Sequence, residues 1–264
     1  MSGAAVFLPI LAAAVLGGGS AGLLGVFLVG LRMPFLAVAS AHAALAGAVL
    51  GGLAGLPPTP SGFAGALAGA GLLAFLVRHR EIDPNVALGT LFSLMLGIAF
   101  LGIGLSPGPK SAALNLMWGS LLFVTPSQIA LMGVLAALLL ALLRIFHKEL
   151  KLLLFSREVA SLLIPADLVF GALVVLEAGI ITINLETVGG LLLYSLICNP
   201  AVAALKVARR YGHALALAGA LGAASAVGGF LAAWAMDLPV GACIVIVSSL
   251  LVLAALGWAR WRRK

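Results

Sequence analysis

Nine apolar stretches run along this chain, each close to the length of a bilayer crossing, with short breaks between them. A helix needs about 20 apolar residues to cross a hydrocarbon core of about 30 Å. Prolines and charges stand in the breaks, as at Arg32–Pro34 and Pro57–Pro60, where helix ends are expected. The pattern predicts an all-α integral membrane protein, a polytopic bundle of about eight or nine transmembrane helices. The stretches are approximately residues 4–31, 35–56, 61–77, 86–105, 127–146, 168–184, 187–205, 212–236 and 239–259.

Composition and charge agree with this prediction. Of 264 residues, 63% are hydrophobic and 9% are charged, whereas a soluble domain carries roughly 25% charged residues. A soluble fold of this length has too little interior for so much apolar surface. The net charge of +7 comes from short basic clusters between apolar stretches, which is typical of membrane topology signals. The sequence therefore predicts contact with the lipid bilayer and no nucleic-acid partner.

The basic residues also predict an orientation. With the N-terminus outside, 14 of the 15 Lys and Arg residues fall on the inside, and Lys110 is the exception. Because inside loops of membrane proteins are enriched in Lys and Arg, we expect the N-terminus outside and the C-terminus cytoplasmic, in a multi-pass protein of the inner (cytoplasmic) membrane. The inside positions are Arg32, 78–80, 144–157, 206–210 and the tail 260–264.

Three parts of the pattern are less regular. Residues 168–205 hold two short apolar stretches, joined at 184–186 and interrupted by Asn199-Pro200, so one of them is a candidate for a re-entrant or broken helix. Residues 111–126 are too short and polar for a span, and an interfacial or partly inserted helix is the interpretation, with Trp118 at the interface. The insertion 144–167 is amphipathic, and the residues alone leave two alternatives open, a helix on the membrane surface and a surface that docks a partner.

Two ionisable residues lie deep inside apolar stretches. His42 and Glu177 are each about ten residues from a predicted end, and at about 1.5 Å per residue both fall near mid-depth. An imidazole and a carboxylate suit a first-row divalent metal, and they equally suit a structural hydrogen-bonded pair. Asn199, next to Pro200, frees a backbone carbonyl, either as a kink for packing or as part of a substrate pathway.

No enzyme motif is present: the chain has no Walker loop, GxSxG, HExxH or CxxC. The chain is therefore not expected to be an enzyme. A transporter built from it draws energy from an ion gradient, as a secondary carrier, or from a separate subunit. A membrane scaffold without transport activity is the third alternative.

Four stretches together resemble the membrane permease subunits of ABC transporters for divalent metals, chiefly zinc and manganese and sometimes iron. The resemblance spans almost the whole chain in the expected order. The stretches are GVFLVGLRMPFLAVASAHAALAG at 25–47, WGSLLFVTPS at 118–127, VGGLLLYSLICNPAVA at 188–203 and DLPVGACIV at 237–245.

The resemblance implies one permease domain over 1–264 that works by alternating access as a homodimer. Its partners would be a cytoplasmic ATP-binding subunit and an extracytoplasmic substrate-binding protein, with a divalent metal as substrate and no tightly bound cofactor. It places a cytoplasmic coupling segment at 147–166, with Phe155, Ser156, Arg157 and Glu158 contacting the ATPase.

The chain departs from the family pattern at three positions. The family usually has Asp four residues before the helix histidine, where this chain has Val38. Asp is also common where this chain has Asn85 and Ser156. Either Glu177 replaces the missing carboxylate from across the bundle, or the substrate differs from zinc and manganese.

Overall fold

The computed structural model of the chain describes residues 3–80, 82–106, 119, 121–190 and 193–262, without the side chains of residues 3–6, 79 and 80. All regular structure in these ranges is helical, which confirms the predicted fold class. A single 3-10 turn, Leu121–Phe123, lies before α5. The α-helices are α1 (Gly3–Gly30), α2 (Leu36–Leu53), α3 (Pro58–Arg80), α4 (Pro84–Leu105), α5 (Pro126–Ile145), α6 (His147–Phe155), α7 (Arg157–Leu163), α8 (Ala166–Thr187), α9 (Leu193–Val207), α10 (Tyr211–Met236) and α11 (Val240–Trp261).

Eight of these helices are long and apolar enough to cross a membrane, within the part of the chain that the structure describes. The ninth apolar stretch forms α9, which has only 15 residues. The predicted count of eight or nine spans is confirmed, with α9 as the short member.

Polar residues at the breaks fix several helix ends. The Asp83 carboxylate accepts hydrogen bonds from the backbone N–H groups of Asn85 and Val86, and Pro84 begins α4. Thr125 and Gln128 form a capping box at the start of α5. Asp237 ends α10 in the left-handed conformation, with φ of 54°. These caps satisfy N–H and C=O groups that would otherwise lie open in or near the bilayer.

Helices α1, α2 and α8 form the centre of the bundle and are the most buried of the spanning helices. The backbone of α1 lies against that of α10, because glycine occupies the contact positions Gly18, Gly22 and Gly222. Gly47 of α2 meets Gly65 of α3 in the same way. The glycines at four-residue spacing therefore lie at helix contacts, where the absence of a side chain lets the two backbones approach closely.

The two ends of the chain lie at opposite ends of the bundle. Near the start of α1, Phe7 contacts Trp234 at the end of α10, with ring centroids 5.0 Å apart. At the other end, the His147 ring of α6 lies 5.0 Å from the ring of Tyr211, where α10 begins. Since α11 returns antiparallel to α10, Trp261 lies at that second end. We call it the basic end, because it carries Arg32, Arg78, Arg144, α6 and α7. The assignment of this end to the cytoplasm stays a prediction.

Between 168 and 205, the predicted join at 184–186 lies within a few residues of the observed end of α8, and Asn199-Pro200 does not end a helix. α8 runs through Glu186 to Thr187, and Thr59 and Gln128 each donate a 2.6 Å hydrogen bond to the Glu186 carboxylate. α9 continues through Pro200, which lies inside the helix.

The break between α8 and α9 comes instead at a turn over Val188–Gly190, where Gly189 has φ of 97°. This turn is buried, and Gly119 lies directly against Val188. Because irregular backbone at membrane depth must be covered by protein, the close approach of Gly119 is part of what permits the turn. The predicted interfacial helix at 111–126, including Trp118, lies mostly outside the described residues.

Candidate substrate pathway and coupling surface

Glu177 lies on α8 in the centre of the bundle, with only 1% of its surface exposed. The Ser40 hydroxyl on α2 donates a 3.1 Å hydrogen bond to Glu177 Oε2. The other carboxylate oxygen, Oε1, is buried and has no hydrogen-bond partner among the described residues. A buried carboxyl oxygen without a partner is unfavourable by about 1–3 kcal/mol or more. This oxygen is therefore a buried polar atom that the described residues leave without a partner.

His42 lies on α2 two residues after Ser40 and is 5% exposed. Its Nδ1 is 2.9 Å from the carbonyl oxygen of Val38, and its ring packs edge-on against Phe92 of α4 with centroids 4.8 Å apart. When Nδ1–H donates to this carbonyl, Nε2 is the basic nitrogen and is the one able to bind a metal. Val38 thus orients the imidazole through its backbone, although it lacks the carboxylate typical of the family.

His42 and Glu177 have different partners in this structure. Two residues along a helix are about 200° apart around its axis, so Ser40 points to α8 while His42 packs on α4. Within the described residues, no three His, Cys, Asp or Glu side chains are placed to hold one metal ion. His42 and Glu177 therefore do not share one coordination site in this structure.

A second orphan oxygen lies on the same side of α8. Asn184 is two turns beyond Glu177, is 0% exposed, and donates from Nδ2 to the Ile180 carbonyl at 2.8 Å. Its Oδ1 has no hydrogen-bond partner in the described part of the chain and lies against Gly17 of α1. Neither Ser40 nor Asn184 is among the site residues predicted from the sequence. The available signal was the seven-residue spacing of Glu177 and Asn184, which puts both on one helix face.

Asn199 joins two helices. Its Nδ2 donates to the hydroxyl oxygens of Ser248 and Ser249 on α11, at 3.0 and 3.1 Å. These bonds fasten α9 to α11 one residue before Pro200, which cannot donate a backbone hydrogen bond. The structure therefore places Asn199 at a helix–helix contact, half-buried and away from the hydrogen bonds of Glu177.

The predicted coupling segment forms two short helices at the basic end. Leu150 and Leu153 of α6 are buried, which seats that helix on the bundle. Ser156 separates α6 from α7 and caps α7 by accepting a hydrogen bond from the Val159 N–H. Phe155 projects outward and is 83% exposed. A large aromatic side chain so exposed at a helix junction is a candidate anchor for a partner.

Arg157 and Glu158 follow on α7, and both are exposed. Arg157 is paired with Asp167 at 3.6 Å, and its guanidinium lies 4.6 Å from the centre of the Phe170 ring. Since both charges of this pair are largely exposed, the pair itself adds little stability. It holds Arg157 toward α8 and leaves Phe155 free to project.

Comparison with known proteins identifies the family. A family model described as the ABC 3 transport family matches residues 4–259. The chain belongs to this family. The resemblance drawn from four short stretches of sequence is thereby confirmed, and this ABC 3 family member is a multi-pass membrane protein.

Its relatives include named metal transport proteins. The chain is 25% identical over 226 residues to the probable iron transport system membrane protein of Haemophilus influenzae, covering 85% of this chain and 83% of that one. It is 27% identical over 249 residues to the manganese transport system membrane protein MntC of Halalkalibacterium halodurans, covering 91% and 83%. The solved structure of PsaBC from Streptococcus pneumoniae in complex with Fab shares the fold, with a TM-score of 0.85 at 23% identity over 95% of this chain and 90% of that one.

Proposed function

We propose that this chain is the membrane permease subunit of an ATP-driven importer for a divalent metal ion such as manganese, iron or zinc. The observation that carries the proposal is the family match over residues 4–259. Relatives named for iron and for manganese transport support a metal as the substrate. ATP is hydrolysed on a separate subunit, and an extracytoplasmic binding protein delivers the metal.

Within the bundle, we assign the pathway to α2 and α8. Glu177 Oε1 and His42 Nε2 are the ligand positions, and both are suitable for a first-row divalent ion. Asn199 positions α9 against α11, away from these two ligand positions. The protein works by alternating access, in which ATP binding and hydrolysis on the partner switch the bundle between two states.

The assembly that follows has a second copy of this chain, two ATP-binding subunits at the basic end, and the binding protein at the opposite end. The N-terminus is then outside and the C-terminus cytoplasmic, in the inner membrane. Residues 147–166 form the coupling segment, in which Phe155 is the anchor and Ser156, Arg157 and Glu158 surround it.

Reconstitution tests the proposal. The full chain is purified with the ATP-binding subunit of its transport system in lipid nanodiscs, and ATP hydrolysis is measured at constant Mg²⁺ with Mn²⁺, Fe²⁺ or Zn²⁺ on the binding protein. We expect at least one metal-loaded binding protein to stimulate hydrolysis. An ATPase that assembles normally yet responds to none of the three contradicts the metal assignment. Transport by the isolated chain under a proton gradient would instead favour a secondary carrier.

Replacing Phe155 with alanine will weaken binding of the ATP-binding subunit by roughly tenfold or more, as expected for an aromatic anchor. The thermal midpoint of the permease alone will not change, because this side chain is 83% exposed. Affinity is measured by titrating the ATP-binding subunit onto nanodisc-held permease.

The matched control is Phe123→Ala, which removes a phenylalanine that is 81% exposed and lies outside the coupling segment. We expect this control to bind the ATP-binding subunit as wild type does. Equal loss of affinity in both variants would show that Phe155 is not the anchor.

A further inference from the structure

A groove of about 620 Å³ opens between α3 and α8 at the basic end of the bundle. Its volume lies within the range of roughly 300–1,000 Å³ that small-molecule sites occupy. Its walls are apolar side chains of the two spanning helices, including Leu67, Val77 and Val174. The groove therefore runs along two helices that are long and apolar enough to span a membrane.

Small residues create the space. Ala70, Ala74 and Gly171 line the groove, and a Cβ added at Gly171 would meet nothing within 4 Å. Empty space beside a spanning helix is filled by lipid or by another protein. A larger residue at Gly171 would therefore extend into this space.

The mouth of the groove is charged. Arg78 at the end of α3, Arg157 of α7 and Asp167 of α8 stand together there. Stacking on Phe170, another lining residue, holds Arg157 at the mouth. Asp167 neutralises only part of this charge, because two arginines face one carboxylate and the pair distance to Arg157 is 3.6 Å.

We propose that the groove binds an anionic phospholipid, with one acyl chain between α3 and α8 and the phosphate held by Arg78 and Arg157. Guanidinium groups bind phosphate through paired N–H donors. Basic pockets between transmembrane helices at one membrane face are a recognised setting for anionic headgroups. The lipid would connect a spanning helix to the coupling segment through Arg157.

Charge favours lipid over a second copy of the chain as the occupant. A symmetric contact centred on this groove would bring the net positive charge of the mouth, two arginines and one aspartate among its lining residues, together with the same charge from the second copy. A phospholipid matches both parts of the groove. Its acyl chain fits the apolar walls, and its phosphate fits the arginines at the mouth. This inference needs only a membrane-spanning bundle and does not depend on the identity of the transported metal.

Native mass spectrometry of the full chain in detergent tests the proposal. Palmitoyl-oleoyl phosphatidylglycerol is titrated against the phosphatidylcholine with the same chains. We expect tighter binding of phosphatidylglycerol, and a loss of about fivefold in each of Arg78→Gln and Arg157→Gln, since one arginine near an anionic lipid contributes about that factor. Asp167→Asn will tighten binding, because it removes the competing carboxylate.

The groove-filling variant Gly171→Leu will weaken binding of both lipids. Its matched control is Gly97→Leu on α4, where a Cβ likewise meets nothing within 4 Å, and this control will bind lipid as wild type does. Inorganic phosphate will not displace phosphatidylglycerol, because it cannot occupy the apolar walls.

Three results would overturn the proposal. The first is equal binding of the two lipids with no effect of the arginine substitutions. The second is full displacement by inorganic phosphate together with normal binding in Gly171→Leu, which would indicate a surface anion site. The third is a Gly171→Leu variant that dissociates a dimer while its lipid binding is unchanged, which would make the groove an interface between copies.

Discussion

Alanine at Gly222 will lower the free energy of unfolding of the bundle by about 1–3 kcal/mol, and valine there will remove most of the monodisperse protein. A Cβ on Gly222 would overlap the carbonyl oxygen of Gly18 on α1, and a Cβ on Gly18 would overlap the carbonyl oxygen of Gly222. The neighbouring Gly22 meets the carbonyl of Ala218 in the same way. Backbone atoms cannot move aside as a flexible side chain can, so the whole helix pair must separate. Stability is measured as the temperature at which half of the detergent-solubilised protein still elutes as a single peak.

Gly97→Ala is the matched control for this prediction. Both positions lie inside spanning helices, so alanine removes the same unfavourable glycine helix propensity, about 1 kcal/mol, at each. A Cβ at Gly97 meets nothing within 4 Å, and this variant will be as stable as wild type or more so. A Gly222→Ala protein as stable as Gly97→Ala would show that α1 and α10 do not approach as closely as described.

Glu177→Gln will leave the protein folded and will lower metal-stimulated ATP hydrolysis at least tenfold. Glutamine keeps the shape of the side chain and can still accept the Ser40 hydrogen bond, which measures 3.1 Å in the wild type. It cannot ionise, so it lacks the anionic oxygen at Oε1 that a metal ion would bind. A hydrogen bond or ligand contact to a charged group contributes about 1.5–3 kcal/mol, and about 1.4 kcal/mol corresponds to a factor of ten in rate.

The same substitution at Glu186 is the control. Glu186 lies nine residues further along α8, and both of its carboxylate oxygens already accept hydrogen bonds, from Thr59 and Gln128. Glu186→Gln will therefore retain metal-stimulated hydrolysis close to that of wild type. If Glu177→Gln keeps wild-type activity with an unchanged thermal midpoint, the carboxylate is structural and the pathway lies elsewhere.

Much of the architecture could be predicted from local sequence. Apolar stretches of spanning length became the long helices, and prolines and capping residues such as Asp83 and Thr125 stand at their starts. Glycines four residues apart indicated the close helix contacts. These features depend on residues near one another in the chain, so composition and spacing are enough to find them.

Contacts between residues distant in sequence could not be predicted. The sequence places a charge at Glu186 near a helix end, but it does not show that Thr59 and Gln128 bind this carboxylate from two other helices. It also leaves open whether Asn199-Pro200 breaks its helix, whereas in the structure α9 continues through Pro200 and Asn199 joins it to α11.

The candidate site shows the same limit. His42 and Glu177 were selected because ionisable groups inside a bilayer require a reason, and both are buried as expected. The Ser40 partner of Glu177 lies 137 residues away along the chain. His42 and Glu177 have different partners because Ser40 and His42 lie on different faces of α2, with α8 against one face and α4 against the other. No pattern within one helix contains that information.

Metal uptake into vesicles is the decisive measurement of ATP-driven import by this permease. The complete complex is placed in liposomes that hold ATP and a metal-sensitive fluorophore, with the metal-loaded binding protein outside. We expect Mn²⁺, Fe²⁺ or Zn²⁺ to accumulate inside only when ATP and the ATP-binding subunit are present, and we expect Glu177→Gln to abolish the accumulation. A complex that hydrolyses ATP but accumulates none of the three metals beyond the level of protein-free vesicles would contradict it.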